Sequence, residues 1–306
     1  MSPDDVVFLE GVGLPGETGE SSEGPDALKE NAAGALERGL RFVEVNGDVL
    51  SLCRANVALR VDPAANYVEM LRANQAEDGS FAPFEVSSAG WLGRELAQRS
   101  IGGALGGTLQ ALGLHADVRQ DNAPNVEAAI RFIEAQQAED GSFASEGGTA
   151  GIDGGLFATA LCAGSLGRSH YSRPENLIAA GDWLAERWAP EQIEGGQFGE
   201  LAAFSIYYSN VPDELADDAL QWCGRELEKG FRSRALEALA VMQVLSACQV
   251  GSLPGASFAP EELLERLLGE QAADGGFDAL CADGLAARVG PTTDALRSII
   301  GLCSTF

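Results

Sequence analysis

A short string recurs along this chain, and it limits the possible folds more than any other feature. Four segments end alike: MLRANQAEDGSF (Met70–Phe81), FIEAQQAEDGSF (Phe132–Phe143), WLAERWAPEQIEGGQF (Trp183–Phe198) and RLLGEQAADGGF (Arg266–Phe277). The third copy is degenerate, with Trp188 where the others carry Gln. The closing Phe residues lie 62, 55 and 79 positions apart. That spacing is too long for tetratricopeptide or ankyrin units and suits a helix pair with a structured loop. Charged, amphipathic helices are predicted over 26–45, 62–74, 124–137, 173–189, 212–228 and 259–271. Several start with Pro or an acid in the first turn, as at Asp62-Pro63 and Pro174-Glu175. Between them, helices rich in Ala, Gly and Leu are predicted over 47–60, 98–114, 153–167, 199–209, 232–249 and 291–304. The expected fold is all-α. Six outer and six inner helices would close into an α/α toroid around a central funnel. A single domain would span 26–306, behind an acidic tail over 1–25 that reads as disordered.

Charge removes several function classes. The chain has 306 residues, 46 Asp+Glu against 20 Lys+Arg, and a formal net charge of −26. Nucleic-acid binding depends on neutralising phosphates and is not expected. Anionic membrane surfaces are disfavoured for the same reason. No apolar run reaches the roughly 18 residues of a membrane span. Residues 1–24 lack the basic and apolar regions of a signal peptide. The six cysteines (Cys53, Cys162, Cys223, Cys248, Cys281, Cys303) form no CxxC pair. They read as free thiols in a reducing compartment, so a cytoplasmic location is expected. Parallel inner helices would gather their N-termini at one rim, where positive dipole ends favour anions.

The unit Gln137-Ala138-Glu139-Asp140-Gly141-Ser142-Phe143, preceded by Phe132-Ile133, resembles the QW repeat of squalene–hopene cyclases and other terpene cyclases, with Phe replacing Trp. It also resembles the repeat of protein prenyltransferase β subunits. The resemblance covers roughly residues 60–306. It implies structural roles for Gln75, Gln137, Gln271, Phe81, Phe143 and Phe277, which would tie an outer helix to its neighbour. The cyclase acid motif D-x-D-D is absent, and only Asp153 of Gly151-Ile152-Asp153-Gly154-Gly155 stands at the matching place. As a helix cap Asp153 would be favoured ionised, the wrong direction for an acid. The prenyltransferase zinc segment is also incomplete, because Gly155 replaces the Cys and Asp294 lies near the His position. Zinc is therefore not expected. Two acids would better suit Mg²⁺ with a diphosphate substrate.

The resemblance implies an isoprenoid-handling enzyme. Acid-initiated cyclisation, or prenyl transfer, would occur in the apolar funnel. Asp153 and Asp294 are the catalytic candidates, coupled if both face the lumen. Arg54, Arg99, Arg232 and Arg234 are the candidates for holding a diphosphate, all placed in or at the start of inner helices. The buried Arg54 would pair with an acid or a ligand. Trp91, Phe157, Tyr207 and Tyr208 are candidates for lining the funnel and stabilising a cation. Two other readings stay open: a non-catalytic lipid- or partner-binding toroid, and a β-like subunit that needs a helical partner.

Overall fold

The repeat strings act as mechanical clips in the computed structural model, which describes residues 25–85, 87–143, 154–194, 198–278 and 284–305. In three copies the Gln and Phe pair as an isolated antiparallel bridge: Gln75 with Phe81, Gln137 with Phe143, and Gln271 with Phe277. The Gln Nε2 then donates twice. Gln75 reaches the carbonyls of Gly79 and Asn125, Gln137 those of Gly141 and Asn176, and Gln271 those of Gly275 and Ala35, all at 2.9 Å. One bond closes the repeat's own loop. The other grips the next charged helix. The Phe backbone N–H donates to a Thr Oγ1 on a following apolar helix: Phe81 to Thr108 at 3.0 Å, Phe143 to Thr159 at 3.0 Å and Phe277 to Thr292 at 2.9 Å. The Phe rings are fully buried.

The described chain is all helical, apart from these bridges. The more exposed helices are α1 (Pro25–Asn46), α3 (Ala64–Arg72), α6 (Pro124–Glu134), α8 (Pro174–Ala185), α10 (Ala216–Arg232) and α12 (Pro260–Gly269). In α6, Val126, Ala129, Ile130 and Ile133 form one buried stripe, with Pro124 at the first turn. The more apolar helices are α2 (Val49–Ala58), α5 (Gly103–Asp117), α7 (Gly154–Gly167), α9 (Phe198–Asn210), α11 (Ala238–Ala247) and α13 (Leu285–Cys303). α7 is buried without a break from Leu156 to Leu166. Packing follows chain order: α7 against α9, α9 against α11, α11 against α13. The last pair meets the first, with α12 and α13 on α1 and α13 on α2.

Two features differ from the sequence expectation. An additional helix, α4 (Gly90–Gln98), precedes α5 and packs on α5 and α13. And α10 runs on to Arg232, because Phe231 continues the buried stripe of Cys223 and Leu227. Arg232 therefore ends a half-exposed helix, pairing with Glu228 and Glu262. Arg234 sits exposed in the following turn with φ 62°. Neither starts a buried helix, since α11 begins at Ala238. Among the described residues no helix is long and apolar enough to cross a membrane. Cys162, Cys223 and Cys248 are buried free thiols. Burial pushes Cys223 up to about 12 and Cys248 up to about 11. Cys281 and the tail over 1–24 lie outside the described residues.

The clip at Asn125 makes stability depend on pH. His115 on α5 is buried, 1% exposed, with Nε2 2.9 Å from the Asn125 amide nitrogen. Burial pushes the imidazole pKa down to about 4 from its ordinary 6.5. Below pH 6.5 the unfolded chain binds this proton and the folded chain does not, so stability falls as pH drops from 6.5 to about 4. The full loss is about 3 kcal/mol. Urea unfolding at pH 7 and pH 4.5 should show most of it. His115→Gln should flatten the slope, and an unchanged slope would count against His115 as its source.

Candidate functional site: a charge network beneath an open cavity

The near absence of charge on the apolar helices makes their few exceptions conspicuous. Arg54 of α2 is buried, 6% exposed, and Asp294 of α13 is 1% exposed. The guanidinium Nη2 of Arg54 donates to Asp294 Oδ1 and to Asp117 Oδ2. Arg297 donates to the other Asp117 oxygen, and Gln243 Nε2 donates to Asp294 Oδ2 at 2.8 Å. Four helices, α2, α5, α11 and α13, are thus joined through one network. Burial pushes the Asp117 carboxyl up, but Arg297 and Arg54 outweigh it and hold it below the usual carboxylate range. Burial pushes Arg54 down, and Asp117 and Asp294 more than reverse that.

The network separates two spaces. On one side lies a small space lined by Arg54, Trp91, Leu92, Asp117, Leu161 and Ile206 among others. Its volume is about 30 Å³, room for about two water molecules. On the other side a cavity of about 720 Å³ opens at the C-terminal ends of α2, α5, α11 and α13. Its walls include Val57, Met242, Leu245, Phe258 and Ile300. Arg54, Arg60, Arg119 and Arg297 also line it, and Asp117 is the single acid among the described lining residues.

The sequence candidates distribute unevenly over this arrangement. Arg54 and Asp294 come together, as partners of one another. Asp294 stands in the third turn of α13, not at a helix start. Both its oxygens already accept hydrogen bonds, from Arg54 and Gln243. Asp153 lies outside the described residues. Arg99 is the C-cap of α4 and is sealed between Glu95 at 2.6 Å and Glu200 at 2.8 Å, over the Phe157 ring at 4.2 Å. Four of its five N–H donors are spent on Glu95 and Glu200, which does not suit the diphosphate role expected. Trp91 lines the smaller space and meets Phe198 edge-on at 5.7 Å. Phe157, Tyr207 and Tyr208 line neither space. Tyr207 donates its hydroxyl to Asp213 at 2.7 Å, and Tyr208 packs against Trp188 and Phe204. Exposed Arg232, the last residue of α10, and exposed Arg234, in the turn after it, do not line the cavity. Asp117, Gln243 and Arg297 were missed. The signal was present, because each is a polar residue in an otherwise apolar helix pattern.

The rim also differs from the expectation. Helix dipoles favour anions at N-termini, but they equally favour cations at C-termini. The Arg-lined opening is at the C-terminal ends. Among the described residues no group of three or more His, Cys, Asp or Glu is placed to hold a metal ion. No protein-family model matches the chain, and no curated protein matches it.

Proposed function

We propose that the six apolar and six charged helices close into an α/α toroid that binds an elongated apolar molecule, without transforming it, in the cavity at one mouth of the ring. Closure is supported by Gln271, which clips α1 in the way Gln75 clips α6 and Gln137 clips α8. Binding is carried by one observation: about 720 Å³ of partly apolar space is open at the C-terminal ends of four helices, within the usual range for ligand sites, against about 30 Å³ in the smaller space. The acid-initiated reaction is less well supported, because Asp294 is committed to Arg54 and Gln243.

The test is equilibrium binding of farnesol followed by extraction and product analysis. Saturable binding in the micromolar range, about −8 kcal/mol, with farnesol recovered unchanged, is expected. Absence of saturable binding sinks the reading. A cyclised product after incubation with farnesyl diphosphate, lost in Asp153→Asn, would replace it with catalysis.

A further inference from the structure

We propose that the open cavity recognises an amphiphile with a single anionic head, a carboxylate or a phosphate, held by Arg60 and Arg119. The proposal rests on the binding reading above and adds the chemistry of the head group. Charge carries it. The whole chain has 46 acids and 20 Lys+Arg, yet the described lining has four Arg and one Asp. That inverts the overall ratio at one place.

The four cations divide into two sets. Arg54 and Arg297 are tied to Asp117 and form the floor. Arg60 and Arg119 are exposed at the opening, with no ion-pair partner among the described residues. Both follow directly on a helix C-cap, Leu59 for α2 and Val118 for α5. Both have left-handed backbone, φ 60° and 56°. Glycine takes such a position at about 1 kcal/mol less than another residue. A cation at a helix C-terminus gains only about 0.3–1 kcal/mol from the dipole. The dipole therefore does not by itself favour Arg over Gly at either stop. Guanidinium groups at the mouth would take the head, and Val57, Met242, Leu245 and Phe258 would cover the tail.

The experiment uses the full chain with dodecyl phosphate, 1-dodecanol and inorganic phosphate. The variant is Arg60→Asn/Arg119→Asn, because Asn tolerates the left-handed conformation and keeps both helix stops. Circular dichroism should show the same fold. Dodecyl phosphate should bind the wild type at least about tenfold more tightly than dodecanol, a difference of about 1.4 kcal/mol. The variant should lose that advantage while keeping its affinity for dodecanol. Raised salt should weaken the phosphate alone. Equal affinities in the wild type, or an unaffected variant, overturn the head-group assignment and leave the binding reading standing. Failure of dodecanol, farnesol and dodecyl phosphate alike removes the binding reading itself. Competition by inorganic phosphate at equal concentration would show that a free anion is the ligand and that the amphiphile is wrong.

Discussion

Replacing Arg54 by Met should cost about 3–5 kcal/mol of folding stability, a large share of the 5–15 kcal/mol typical of a folded protein. The reason is asymmetry. Asp117 would keep Arg297. Asp294, 1% exposed, would keep the neutral amide of Gln243 as a hydrogen-bond donor and the more distant charge of Arg94. A buried carboxylate that has lost its directly bonded cation is what makes breaking such a network expensive. The network as a whole need not be strongly stabilising, because desolvating its charges offsets much of their attraction. The double variant Arg54→Met/Asp294→Asn should therefore recover about 2 kcal/mol of the loss. Asparagine can still accept from Gln243, and no charge is stranded. Urea unfolding of the wild type, both single variants and the double variant closes the cycle. A single-variant cost below about 1 kcal/mol, in the range of an exposed pair, would mean that Asp294 is not buried against Arg54.

The second large effect is expected at the glycine of the clip. Gly79, Gly141 and Gly275 share φ values of 88°, 90° and 90°. A Cβ at each would lie under 3.0 Å from a backbone carbonyl oxygen of the neighbouring helix: Ala128 of α6, Ala179 of α8 and Arg38 of α1. Gly141→Ala would combine a strained backbone, about 1 kcal/mol, with forced separation of two packed elements, about 1–3 kcal/mol. A loss near 3 kcal/mol is expected, seen as a lower urea midpoint. Gly269→Ala is the control. Its Cβ would meet nothing within 4 Å, and at the end of α12 it should be neutral or slightly stabilising. Equal midpoints for the two variants would refute the close approach.

Much of the helical architecture was legible in the sequence, and the reasons are local. Pro124 and the stripe Val126, Ala129, Ile130 and Ile133 announce α6 through spacing alone. The clip residues announce themselves by repetition. Legibility failed where no local signal was strong. The glycine near the end of α10, Gly230, lies inside its last turn, and Arg234 takes the left-handed position that a glycine would have marked. The helix α4 falls in a stretch read as loop. Its apolar positions Trp91, Leu92 and Leu96 become intelligible once α5 and α13 are there to cover them.

The candidate site was legible only in fragments. Arg54 as a buried, paired cation followed from its apolar surroundings, and Asp294 was singled out by its place near the His position of the prenyltransferase segment that the chain resembles. That they partner one another did not follow, for they are 240 residues apart, and Asp117 and Arg297 are 180 apart. By itself the sequence determined most of the helices, their alternation and the short loop that each repeat closes on itself, because these depend on neighbours within a few turns of chain. Only the tertiary structure decided which charges meet, which arginines are spent on carboxylates and which stay open at the C-terminal rim. Those outcomes depend on how the last helices pack against the first, and no short-range pattern encodes that distance.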